Sequence, residues 1–233
     1  MAEQPRFWLR LTYIEQGRLA MLSHLEVVSA IERTIRRAGL PFAVSQGFSP
    51  HMVKQFGSAL PVGIGSTCEI FDVRLTQYVN PAQALERLQA MSAPDLMVTS
   101  CEYLDPRAPA AQVAYPLATY EVQLSRPVSA LAWPDEIVVE RVKKGKVQQR
   151  HFVVSDFLHG GVVVGDGSGV ASNIVRFTLE SKQTGSLRAD VFLRECLALA
   201  NAQVDGEDGD GAEGAELLSA LSVTRVKQSP LAD

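Results

Sequence analysis

Between Ser45 and Gly63 the chain reads SQGFSPHMVKQFGSALPVG. Gln46, Phe48, His51 and Lys54 place an amide, an aromatic face, an imidazole and an ammonium within nine residues. Such a set suits a flat ring stacked on Phe48 and an anion held by His51 and Lys54. A plain connector needs the glycines and prolines of this stretch for turns, but it has less use for Phe48 and Phe56 beside a histidine and a lysine. Long compact loops are more often binding elements than connectors, so the stretch reads as a binding loop. The plainer alternative is a loop pinned to its own domain by Phe48 and Phe56.

A second set lies upstream. His24 follows Ser23 at a helix start, where free N–H groups and positive partial charge receive anions. A histidine packed against a neighbour is the alternative there. Arg33, Arg36 and Arg37 recur on the polar side of the same helix. They form either a solvated face or a contact surface for an acidic partner or a nucleic-acid backbone.

No standard catalytic signature is present. The chain has no GxxxxGK followed by Ser or Thr, no GxGxxG, no GxSxG and no HExxH. The glycine-rich GGVVVGDGSGVAS reads as a turn between strands, and His151 and His159, without visible acid–base partners, read as structural. Cys68, Cys101 and Cys196 are odd in number, far apart and without a CxxC pair. That argues against a disulfide framework, a zinc site or an iron–sulfur cluster held by this chain alone, and it suits a reducing cytoplasm. No apolar run approaches the roughly 20 residues of a membrane span, and MAEQPRFWLRLTY lacks the pattern of a secretory leader. No membrane partner is expected.

The elements that must position these residues follow from the patterning. RFWLRLTYIE (6–15) alternates as a strand, a turn follows, and LAML runs extended to Ser23. Ser23 and Glu26 form an S-x-x-E capping box. Val28, Ile31, Ile35 and Ala38 then follow at helical spacing, with Gly39 at the left-handed cap. FAVS is a short strand into the loop, CEIFDVRLT (68–76) a further strand, and Asn80 with Pro81 starts a second helix. LMVTSCEYL (96–104) completes the order βαββαβ, the ferredoxin-like plan.

Residues 105–117, proline-rich, read as a linker. In 118–233 a strand over 119–125 is followed by a hairpin of EIVVERV and VQQRHFVVSDF turned at Gly145. Two more strands follow, then a helix introduced by Ser186 and a last strand LSVTRVKQ. The expected fold is α+β: two ferredoxin-like (βαββαβ-type) halves, 1–104 and 118–233, the second elaborated with a basic hairpin.

The net charge of −4 is unevenly spread. DGEDGDGAEGAE (205–216) holds six acids and no base, which leaves the remainder at +2; its glycines suggest a solvated loop. RVKKGKVQQR (141–150) holds five bases, and it reads as a solvated hairpin tip or a nucleic-acid contact.

LSHLEVVSAIERTIRRAGLPFAVSQGFSPHMVKQFGSALPVG, continuing to CEIFDVRLT, resembles the bacterial radical SAM-linked proteins, a family without an assigned activity. Its pattern is a SHL-D helix start, an R-x-x-R-R-A-G-L-P helix end, S-Q-G-F-N-P-H and an LPVG turn before a strand. The match runs through Ser23 to Leu25, Arg33, Arg36 to Pro41, Ser45 to Phe48, Pro50, His51 and Leu60 to Gly63. Glu26, Ser49 and Met52 depart from it. The resemblance implies a radical SAM enzyme as partner. That partner would carry the iron–sulfur cluster and S-adenosylmethionine, with no cofactor in this chain. Family genes often lie near a ribonuclease gene, which implies RNA as the substrate.

The functional expectation is an accessory binding protein that presents RNA to a radical SAM enzyme. His24, Gln46, Phe48, His51 and Lys54 would line its pocket, with Arg33, Arg36 and Arg37 on the rim. One alternative is a metal-independent RNA-processing endonuclease using His24 or His51 as general acid or base, since CRISPR repeat-processing endonucleases also build tandem ferredoxin-like halves and often use a histidine. Another is a purely structural docking subunit.

Overall fold

In β1 (Phe7–Glu15) apolar residues alternate, and Leu9, Leu11 and Tyr13 are buried on one face. The computed structural model describes residues 7–105, 107–143, 145–207 and 216–231. Beyond β1 the chain does not run extended to Ser23; Gly17–Met21 is a 3-10 turn. α1 (His24–Arg37) begins at the capping box, where the Glu26 carboxylate accepts the Ser23 backbone N–H at 2.8 Å and its hydroxyl at 2.7 Å. It ends at Gly39, whose φ of +61° allows Gly39 N–H to reach Arg36 O and Leu40 N–H to reach Ile35 O. The buried stripe is Val27, Ile31, Thr34 and Ile35, so Val27 rather than Val28 leads it.

The predicted FAVS strand is reduced to two bridges, Phe42 with Leu75 and Val44 with Met52. The second strand forms later, inside the predicted loop: β2 (Lys54–Phe56) pairs with β3 (Gly65–Leu75). α2 (Pro81–Met91) starts where Asn80 Oδ1 accepts Ala82 N–H at 2.9 Å, and β4 (Val98–Tyr103) follows. β1 lies between β3 and β4, antiparallel to both, with β2 on the opposite edge of β3. One buried cluster joins Leu9, Leu11, Phe71, Val73 and Val98 of the strands to Ile31 and Ile35 of α1 and Leu88 of α2. The predicted linker contains a single helical turn, α3 (Ala111–Ala114), with Ala111 buried.

The chain divides into two compact units, Met1–Pro116 with Arg225–Asp233, and Leu117–Thr224. The expected second half ran unbroken from 118 to 233; the end of the last strand instead belongs with the first unit. Arg225 opens that segment, and its guanidinium is bonded to Glu69 of β3.

In the second unit β5 (Leu117–Val128) pairs with β9 (Ser172–Lys182), and β8 (Leu158–Val164) lies on the other edge of β9. β6 (Glu136–Lys143) and β7 (Lys146–Val153) form a separate two-stranded ribbon turned at Gly145, φ +73°. Ser186 does not introduce the helix: it lies in the short β10 (Gly185–Ser186), and α4 (Ala189–Glu207) starts three residues later. Phe192 of α4 meets Phe177 of β9 with ring centroids 4.8 Å apart. β11 (Ala220–Ser229) completes an α+β chain of mostly antiparallel strands with few helices. Lys144 and most of the predicted acidic loop, 208–215, lie outside the described residues.

Candidate functional site

Phe48 stands at the tip of a short loop and is fully exposed. The loop is closed beneath it by the Val44–Met52 bridge, by Ser45 N–H to His51 O at 2.8 Å and by His51 N–H to Ser45 Oγ at 3.0 Å. Gln46 and His51 are exposed on the same loop. Phe56 does the pinning that the sequence had divided between two rings: it packs edge-on against Phe71 at 4.6 Å and against the His24 imidazole at 5.0 Å.

Lys54 is not in the loop. It lies on β2 and is ion-paired with Glu32 of α1, which also accepts Arg36 at 3.3 Å. Arg36 lies over the Phe42 ring, Arg37 donates to Met91 O at 2.9 Å, and Arg33 is exposed. The expected residues therefore fall into three groups: Gln46, Phe48 and His51 on the loop, Lys54 with the arginine-bearing helix, and His24 against Phe56.

His24 belongs to a site that the motifs did not announce. It lines a small polar cavity with Tyr13, Glu15, Phe56, Ser58 and Glu69; Gln46, Phe48, His51 and Lys54 are not in its wall. The space is about 10 Å³, room for a single water and not for a base. Glu69 accepts the buried Arg225 guanidinium through both oxygens, at 3.0 and 3.1 Å, and Arg225 also donates to Ser58 O and Ala59 O. Glu15 is 4% exposed, yet no side-chain hydrogen bond or ion pair holds it among the described residues. Burial first, and then the negative charge of Glu69, push its carboxyl up to about 7, against the pull of Arg225. Burial, helped by Glu69 and Glu15, also raises the Tyr13 phenol well above its usual range. A carboxyl poised near neutrality can give or take a proton at physiological pH. Ser58 Oγ is buried without a partner among the described residues.

A signal for this cluster was present. Glu15 is in phase with Leu9, Leu11 and Tyr13, and Glu69 with Phe71, Val73 and Leu75, so each acid sits on the core face of its strand. Nothing comparable marks Arg225.

The remaining histidines are not without partners. His151 Nδ1 is 3.0 Å from Glu136 Oε1, and His159 Nε2 is 2.8 Å from Glu180 Oε2, contacts made across strand pairs and so invisible to local spacing. Cys68, Cys101 and Cys196 are free, and burial raises all three thiols, Cys101 to about 11 and Cys196 to about 12. Among the described residues no three His, Cys, Asp or Glu side chains are grouped to hold a metal, and no helix is long and apolar enough to cross a membrane.

Residues 8–189 match the family described as "Uncharacterized protein conserved in bacteria (DUF2344)". No curated protein matches the chain.

Proposed function

We propose, for a chain that belongs to the DUF2344 family of uncharacterized proteins conserved in bacteria, a binding role: the 45–52 loop holds an RNA that the protein presents to a radical SAM enzyme. The observation that carries this reading is Phe48. Its ring is wholly in water at the tip of a loop whose base is tied by backbone bonds. Burying such a ring is worth about 2 kcal/mol, which the chain itself leaves unused. A base stacked on it would contribute about 1–3 kcal/mol. Gln46 and His51 supply hydrogen-bonding groups beside the ring, and Arg33 an exposed cation. Lys54 and Arg36 share Glu32, which tempers their charge; stacking and shape then weigh more than Coulomb attraction.

Among the described residues Cys68, Cys101 and Cys196 are not grouped with other ligating side chains, which supports a cluster carried elsewhere. The cluster and S-adenosylmethionine belong to the partner in this reading. A finer fold reading accompanies it. In the first unit, the βαββαβ order and the position of β1 between β3 and β4 support a ferredoxin-like half. The second offers less support, since no helix lies between β5 and β6.

The test is a salt titration of binding to a fluorescent structured RNA with wild type and Phe48→Ala. The expected loss in the variant is roughly tenfold. Equal binding by the two proteins, or none at any salt, overturns the RNA reading and leaves protein docking. One observation favours a second reading, a metal-independent RNA-processing nuclease: His24 shares its cavity with Glu15, whose carboxyl titrates near 7. RNA cleavage by purified protein in chelator, lost in His24→Ala and Glu15→Gln, would put that reading first.

A further inference from the structure

The ribbon of β6 and β7 has two unlike faces. On one, the cross-strand pair Ile137 and Phe152 is buried at the root. The same face continues outward through the pairs Val139 with Arg150 and Arg141 with Gln148, so it turns from apolar to basic along its length. Opposite stands the start of α4 and the turn before it, Ser186 to Val191. Between the two walls lies a groove of about 920 Å³, entirely within the second unit. That is the size of a ligand site and far larger than the cavity beside His24.

The lining of the groove is chemically consistent. Leu187 and Phe152 are buried and give it an apolar floor. Arg141, Arg150 and Arg188 supply guanidinium groups from both walls. Arg150 is held in place: it lies over the Phe152 ring at 4.8 Å and donates to Thr184 O. It occupies the space that a Cβ at position 185 would need, so Gly185 leaves room for the guanidinium. Arg188 gives its Nε and Nη2 to Asp190, at 2.9 and 2.7 Å, which orients it, tempers its charge and leaves Nη1 as its contact for the groove. The lining carboxylate, Glu140, is itself bonded to Gln149 at 2.9 Å. The amino end of the nineteen-residue α4 adds positive partial charge on the same side.

We propose that this groove binds a single strand of nucleic acid, its phosphodiesters on Arg141, Arg150 and Arg188 and a base against the half-buried Val139 and Val191 above the Phe152 and Leu187 floor. Planar guanidinium forks match phosphate oxygens, and an apolar floor suits an unpaired base rather than a bare inorganic anion. A duplex has no free base for the floor, so the groove selects single strands. The inference rests on the RNA reading above but adds a contact that the loop does not make.

The test uses the full chain and a fluorescein-labelled single-stranded RNA of mixed sequence, followed by anisotropy over a salt series. Neutralising three phosphate contacts in Arg141→Gln/Arg150→Gln/Arg188→Gln is expected to weaken binding by roughly tenfold or more at low salt and to flatten the salt slope by about 2. A duplex of the same length should compete poorly. An unchanged affinity and slope, while wild type binds and Phe48→Ala does not, overturns the groove and leaves the RNA reading standing. No binding by wild type at low salt overturns both. Should the triple variant fail to fold, 4-thiouridine crosslinking of the wild-type protein decides. Crosslinked peptides are expected within 139–152 and 186–191, and crosslinks confined to the 45–54 region overturn the groove.

Discussion

Two buried clusters of charge sit on the same pair of strands in the first unit, and they are built differently. In one, Arg10 of β1 faces Asp72 of β3, its registered partner, through two bonds of 2.7 and 2.8 Å, with the Tyr115 ring under the guanidinium. Both residues are almost wholly buried, one cation to one anion in fork geometry. In the other, Arg225 meets Glu69, and Glu15 is buried nearby with no bond of its own among the described residues. A matched pair is closed chemically and serves structure. A cluster with one carboxyl too many keeps a proton near neutral pH, and it does so in the wall of a cavity shared with His24. Burial alone therefore does not separate the two clusters; an unmatched carboxyl in a cavity wall does.

The largest expected effect breaks the matched pair. Asp72→Ala leaves Arg10 buried without its counter-ion and should cost about 3–5 kcal/mol in denaturant unfolding. The double variant Arg10→Met/Asp72→Leu should recover most of that loss. If the single variant is nearly neutral, the pair is more hydrated than its burial implies.

The next effect sharpens the contrast at Glu15. Its folded carboxyl titrates at about 7, above the ordinary value of 4.5. The folded state thus binds the proton more tightly than the unfolded chain does. This contribution is fully present below about pH 4.5 and is lost as pH rises to about 7, by up to about 3 kcal/mol. Glu15→Gln should flatten the stability profile between those limits, as seen by thermal melts across pH. A slope unchanged in Glu15→Gln would assign the proton to another group.

A smaller effect concerns the helix that holds His24 at the cavity. Glu26→Ala removes the acceptor of both Ser23 bonds and should lower the denaturation midpoint slightly. An unchanged denaturation midpoint would mean that the first turn of α1 is held by packing alone. The smallest effect on stability is expected at Phe48, which touches neither cluster. Phe48→Ala should shift stability by no more than about 0.5 kcal/mol, whatever it does to binding. A loss of several kcal/mol would show that the ring packs in solution and would remove the reason for assigning it to a ligand.

The elements were legible wherever the determining chemistry is local. The Ser23 and Glu26 box, Gly39 at the end of α1, and Asn80 before Pro81 each act on backbone groups within a few residues, so their spacing alone was enough. Alternation likewise marked β1 and β3 and the apolar residues that make the core. The presence of the 45–52 loop and its unusual residue types could be read in the same way. Which rings pack and which face solvent could not: Phe48 and Phe56 are one residue type in one stretch, and only the pairing of β2 with β3 sends Phe56 inward. Tertiary structure also decided every long-range charge contact. Arg225 reaches Glu69 across 156 residues of chain, Lys54 meets Glu32 instead of joining His51, and His159 finds Glu180 on a neighbouring strand. Local spacing limits where a backbone turns. A buried charge is set by its total surroundings, and those exist only once distant strands have paired.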